Sequence, residues 1–234
     1  MFKKNKRTRA TLARKLIVQT NPKSFISEQF RSIRTNINFS MPDQELKTLL
    51  VTSAGPSEGK STTAANMAGV FAQEGKKVLL IDADMRKPTA HYTFKLRNGY
   101  GLSSLLARQC EFREAVQPTY VEGLSVIPSG VIPPNPAELL ASNQMDVVVD
   151  KLLEVFDLII FDAPPVLSVT DAQIISNKCD GTILVVNSGE TGKEEVAKAK
   201  EALEKSKANI IGVVMNNFEL QKDHYYYHYY GNEG

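Results

Sequence analysis

The residues best suited to chemistry are Ala54-Gly55-Pro56-Ser57-Glu58-Gly59-Lys60-Ser61-Thr62. A small, turning loop of this kind aims backbone N–H groups at a phosphate. The positive N-terminal end of the helix that follows adds to the attraction. Gly55, Pro56, Ser57, Glu58 and Gly59 form the loop, and Lys60 supplies a mobile cation to the β- and γ-phosphates of a nucleotide. The Ser61 hydroxyl can join a Mg²⁺ shell, and Thr62 is placed to touch the α-phosphate. The pattern is that of a P-loop, except that Ala54 stands where the first Gly is usual. The competing reading is a glycine turn between strand and helix with no nucleotide.

Acidic residues end two further apolar runs. Leu79-Leu80-Ile81 leads into Asp82-Ala83-Asp84-Met85-Arg86, and Leu158-Ile159-Ile160-Phe161 leads into Asp162. Open α/β sheets bind ligands at the carboxyl ends of their strands. Asp82, Asp84 and Asp162 are therefore expected to project toward one Mg²⁺–phosphate site, with Ser61, Asp84 and Asp162 as metal ligands. A single acid at a strand end is commonly a turn or cap residue; three beside a P-loop point to a site. Asn216, closing the last apolar run, is a weaker candidate for reading adenine.

Strand-like runs are expected at Thr48–Ser53, Lys77–Asp84, Leu124–Pro128, Asp157–Ala163, Thr182–Asn187 and Ile210–Asn216. Most are apolar at consecutive positions, which suits strands buried on both faces. Helix-like stretches lie between or before them at Ser27–Phe39, Ser61–Glu74, Ala137–Val155 and Thr191–Lys205. Strand–helix alternation predicts a single α/β domain: a P-loop NTPase with a doubly wound, mostly parallel sheet flanked by helices. The expected division is a basic arm (1–26), a helical segment (27–44), the P-loop domain (45–218) and a tyrosine-rich tail (219–234).

The 234 residues carry 28 Lys and Arg against 26 Asp and Glu, a net charge of +2 that hides a split. Residues 1–27 hold eight basic residues and no acid, which leaves 20 basic against 26 acidic residues in the rest. Such an arm can be a solvated tail, a nucleic-acid contact or an attachment to an anionic membrane surface. A hydrophobic content of 42% with 23% charged residues excludes a wholly disordered or collagen-like chain. Apolar runs of four or five residues fall far short of the ~20 that span a bilayer. No apolar stretch follows the basic N-terminus, so a secretory signal is not expected. Cys110 and Cys179 show no metal or redox spacing and read as inert thiols in a reducing cytosol.

Taken together, the motifs resemble those of the bacterial tyrosine kinases, P-loop enzymes unrelated in fold to eukaryotic protein kinases. The likeness covers about residues 20–230. Lys60 and Ser61 match the family's Walker A motif. Asp82, Asp84 and Arg86 match its Walker A′ motif, and Asp162 in Phe161-Asp162-Ala163-Pro164-Pro165 matches Walker B. Glu28, Arg31 and Arg34 match a Glu-x-x-Arg-x-x-Arg oligomerisation motif, although the same spacing describes an ordinary charged helix face. Tyr225, Tyr226, Tyr227, Tyr229 and Tyr230 match the family's C-terminal tyrosine cluster. By composition alone, that cluster reads as a sticky terminus or a peptide-binding motif.

The resemblance implies an ATP- and Mg²⁺-dependent protein-tyrosine kinase that phosphorylates its own tail in trans within a ring, typically of eight subunits, as well as other proteins. Catalysis would fall to Lys60, Asp82 and Asp84, with Asp82 the candidate to orient or deprotonate the acceptor hydroxyl. The residues from Phe218 to Tyr225 span at most about 27 Å at ~3.3–3.6 Å each, enough to reach a neighbour held nearby. The resemblance further implies a transmembrane adaptor, a cognate tyrosine phosphatase and protein substrates of capsule or exopolysaccharide synthesis, with nucleic acid unsuited as a partner. The location implied is the cytoplasm, peripheral to the inner face of the membrane through the adaptor. The competing enzyme class is the partition and division-site ATPases. They carry a signature Lys where this chain has Gly55, and they lack a tyrosine cluster. A nucleotide-gated scaffold is the non-enzyme alternative.

Overall fold

The computed structural model describes residues 13–41 and 45–218. The arm before residue 13 and the tail tyrosines Tyr225, Tyr226, Tyr227, Tyr229 and Tyr230 lie outside the described residues.

In chain order the strands are β1 (Thr48–Ser53), β2 (Val78–Asp82), β3 (Gln117–Pro118), β4 (Leu124–Ile127), β5 (Leu158–Asp162), β6 (Gly181–Asn187) and β7 (Ile210–Asn216). They form one sheet in the order β3-β4-β2-β5-β1-β6-β7. Every pairing is parallel except β3 with β4. β1, β2, β5 and β6 are buried along their whole length, as their uninterrupted apolar runs require.

Alternate side chains of these strands enter two cores, because successive Cβ atoms point to opposite faces. Leu49, Val51, Leu80, Ile160 and Ile183 pack on one side. Leu50, Leu79, Ile81, Ile159, Phe161 and Leu184 pack on the other. The first core is covered by helices α1 (Ile17–Thr20), α2 (Phe25–Ser40) and α3 (Lys60–Ala72). Over the second lie α5 (Leu102–Leu106), α7 (Pro136–Ala141), α8 (Asn143–Leu153), α9 (Asp171–Ser176) and α10 (Lys193–Lys205). Two short helices, α4 (Ala90–Phe94) and α6 (Phe112–Ala115), complete the helices of the described residues.

The core reaches N-terminal of residue 45. Leu16, Ile17, Val18 and Ile37 are buried in it. The Asn66 side chain pins this segment, accepting from Val18 N at 3.2 Å and donating to Lys15 O at 2.9 Å. Gly69 lets the two chain segments touch, since a Cβ there would sit 2.7 Å from a Val18 methyl.

Two details depart from the periodicity. The helix expected over Ala137–Val155 is broken at Ser142, whose extended backbone ends α7 and starts α8. The Ser142 hydroxyl donates to Leu139 O at 2.6 Å, the backbone competition that makes Ser favour helix ends. The short edge strand β3 has no counterpart among the expected runs; its Pro118 can occupy an edge because no ladder N–H is needed there.

Candidate functional site: a phosphate loop facing strand-end acids

β1 ends at Ser53, the chain turns, and α3 starts at Lys60. The turn needs left-handed backbone at Ser57 (φ +66°) and Gly59 (φ +101°). At Gly59 a second constraint applies, because a Cβ would lie 2.1 Å from Asn216 Nδ2. That amide, at the end of β7, donates to Glu58 O at 3.0 Å. Asn216 thus stands at the loop, and its amide is engaged in holding the loop's backbone.

Glu58 turns its carboxylate inward. Oε2 accepts from Ala54 N at 3.0 Å and Oε1 from the Thr191 hydroxyl at 2.8 Å. Its side chain therefore braces the loop and does not line the cleft. Thr191 escapes sequence reasoning as a partner; it lies 133 residues away, and no local pattern marks it.

Pro56, Ser57, Gly59, Lys60, Ser61, Thr62, Asp84 and Asn216 line one open cleft of about 1020 Å³. Gly55, Glu58, Asp82 and Asp162 are not part of this lining. Lys60 Nζ is 2.9 Å from Asp84 Oδ2 and 3.1 Å from Asp162 Oδ1, and 3.3 Å from the Ser61 hydroxyl. All three charged side chains are nearly buried. Burial opposes the charge on Lys60, but Asp162 and then Asp84 outweigh it and hold its pKa above the usual lysine value.

Asp82 faces Asp162 across the β2–β5 ladder and is fully buried. Its Oδ2 accepts from Thr89 N and Ala90 N, both at 2.9 Å; its Oδ1 has no hydrogen-bond partner among the described residues. Burial, and next the Asp162 charge, push the carboxyl up to about 7, against the pull of the Ala90 N–H, Lys60 and the Thr89 N–H. Arg86 forms a bidentate pair with the buried Asp171, both contacts at 3.0 Å. That bond above all, against some desolvation, raises the Arg86 pKa. Burial raises the thiols of Cys110 and Cys179, in keeping with inert cysteines.

Among the described residues no group of three or more His, Cys, Asp or Glu is arranged to hold a metal alone. A cation here would draw on the Ser61 hydroxyl, two carboxylates, water and phosphate oxygens. That hard-oxygen set, with few protein ligands, is what Mg²⁺ prefers. On α2, Glu28 pairs with Arg31, Arg31 also donates to Pro22 O at 2.9 Å, and Arg34 donates to Val70 O at 2.9 Å. Each of these contacts is made within the chain.

The fold and the loop define a P-loop NTPase-type protein. A family model described as an AAA domain matches residues 46–212. The septum site-determining protein MinD of Pyrococcus horikoshii, solved with Mg-ADP, superposes with a TM-score of 0.63 over 75% of this chain and 72% of its own, at 21% identity, a likeness of fold alone. Closer likenesses lie elsewhere. Tyrosine-protein kinase YwqD of Bacillus subtilis (strain 168) is 52% identical over 98% of this chain and 96% of its own. Tyrosine-protein kinase CpsD of Streptococcus pneumoniae is 40% identical over 88% and 91%. Among solved structures, the chimerical protein CapA2B2 superposes with a TM-score of 0.85 at 46% identity over 89% of this chain and 93% of that one. The kinase domain of Escherichia coli tyrosine kinase ETK gives 0.82 at 33% identity, over 88% and 83%. The chain belongs to the bacterial tyrosine kinases, and it is a protein-tyrosine kinase. Among the described residues no helix is long and apolar enough to cross a membrane.

Proposed function

We propose that the chain transfers the γ-phosphoryl group of ATP to tyrosines of its own C-terminal cluster, in trans within a ring, and to tyrosines of other proteins. The observation that carries this reading is the grip of Asp84 and Asp162 on Lys60 at the mouth of the P-loop. Nucleotide binding exchanges that grip: Lys60 moves to the phosphates, and Ser61, Asp84 and Asp162 are freed for Mg²⁺. When bound, Mg²⁺ neutralises phosphate charge. Loop N–H groups and Thr62 hold the remaining phosphates, and Asn216 stands on the side where the base would sit. The tyrosine oxygen bonds to the γ-phosphorus as the bond to the ADP oxygen breaks.

The hydroxyl proton goes to a carboxylate. Asp82 is the candidate acceptor because its carboxyl titrates near neutral pH. Asp82 lies behind Thr89, whose N–H it accepts, so the proton's path to it crosses that segment.

Glu28, Arg31 and Arg34 are proposed to build the ring by exchanging within-chain contacts for contacts with a neighbour. The likeness to capsule-type kinases supports a role in capsule or exopolysaccharide synthesis, activation by a transmembrane adaptor, reversal by a tyrosine phosphatase and a peripheral position at the cytoplasmic face of the membrane. The basic arm is proposed to add electrostatic attachment to anionic lipid. Mass spectrometry of the tail after incubation with ATP and Mg²⁺ tests the reading. Phosphotyrosine on the wild-type tail and none on Lys60→Met is expected; an unmodified wild-type tail would refute it.

A further inference from the structure

The cleft extends well past the phosphate loop. Its far wall is the segment after β4, where Gly130, Val131 and Ile132 line the same space as Lys60 and Asp84. Val131 is 69% exposed and Ile132 58%, although the backbone beneath them is tightly held. Asn98 bonds both the N–H and the C=O of Gly130, at 2.9 and 3.0 Å. The Ser103 hydroxyl donates to Val131 O at 2.7 Å. Gly130 is left-handed (φ +79°), and a Cβ there would meet Ser103 Oγ at 2.6 Å. Two large apolar side chains are thus held toward water on a rigid base, an arrangement that suits contact with a partner.

The strand order says which partner. Asn216 ends β7, two strands from β1 on one side; Val131 and Ile132 follow β4, three strands from β1 on the other. At ~4.8 Å per strand the shelf stands about 14 Å from the β1 line. The acid-bearing ends of β5 and β2 lie between. A nucleotide with its base on the Asn216 side ends at those acids, so the shelf faces the terminal phosphate from the side opposite the base. That is where an in-line acceptor must stand.

We propose that Val131 and Ile132 form the shelf on which the aromatic ring of the acceptor tyrosine packs. The inference rests on the tyrosine-transfer reading above and deepens it by naming acceptor-specificity residues. Lys87, exposed on the same cleft, sets a cation near the product phosphate.

The test uses the full chain carrying Tyr225→Phe, Tyr226→Phe, Tyr227→Phe, Tyr229→Phe and Tyr230→Phe, with a synthetic peptide of residues 219–234 as acceptor. Adding Val131→Ser and Ile132→Ser is expected to raise the peptide KM about tenfold. The KM for ATP, peptide-free ATP hydrolysis and the melting temperature should stay unchanged. Val131→Leu with Ile132→Val should restore the peptide KM. An unmoved peptide KM would overturn the shelf while leaving tyrosine transfer intact. A rise in the KM for ATP would also overturn it, placing the base there instead. A parent chain that labels no peptide tyrosine would overturn the tail-acceptor reading, and the shelf with it.

Discussion

Replacing Asp82 with asparagine should stabilise the nucleotide- and metal-free protein, and only above mildly acidic pH. Asp82 is fully buried beside Asp162, and its carboxyl titrates near 7 in the fold against 3.8 when exposed. Between these values the folded chain binds the proton more tightly than the unfolded chain. Unfolding stability therefore falls as pH rises from about 4 through 7. A rise of that size corresponds to at most about 4 kcal/mol. The introduced amide would keep an acceptor for the Thr89 and Ala90 N–H groups and would bring an N–H₂ toward the orphaned position of Oδ1. Urea melts in EDTA at pH 4.5 and 8 read the effect. Asp82→Asn should unfold at higher urea than wild type at pH 8, with most of the gain gone at pH 4.5. Parallel wild-type and variant stabilities across that range would refute the argument that Asp82 is an uncompensated buried acid.

Lys60→Met leaves Asp84 and Asp162 buried without their cation; beyond abolishing tyrosine label, it should cost about 3–5 kcal/mol in urea at pH 7. Glu58→Gln weakens the brace to Ala54 and Thr191, and calorimetry should show ADP affinity falling about tenfold, for a loss of about 1–2 kcal/mol, with little change in the Tm. Gly59→Ala meets both a left-handed backbone and the Asn216 amide, so nucleotide binding should be lost while the sheet's circular dichroism persists. Each tail phosphate adds about −1.5 to −2 charge, so size-exclusion before and after phosphatase treatment should show the unphosphorylated chain assembled and the phosphorylated chain dissociated.

The parallel sheet was legible because its strands are short apolar runs bounded by polar turns. β1 and β7 begin and end where the pattern places them, and the ends of β2, β4, β5 and β6 differ from it by two residues at most. The P-loop was legible for the same reason, as strand, turn and helix are contiguous. The short helices were not, since α4, α5, α6 and α9 span four to six residues, too few for a 3.6-residue period to repeat. The site's supports were hidden differently. Asn216 meets Glu58 across 158 residues and Thr191 meets it across 133, and only the sheet order brings them together. The full burial of Asp82 likewise follows from its neighbour on β5, which its own sequence context does not reveal.

A crystal structure with Mg²⁺ and a non-hydrolysable ATP analogue tests the central claim most directly. The expected result is the triphosphate on the loop from Gly55 to Thr62, Lys60 Nζ withdrawn from Asp162 onto the phosphates, and the metal held by Ser61 with Asp84 and Asp162, directly or through water. A cleft without the analogue, with Lys60 still paired to both acids under saturating nucleotide, would contradict it.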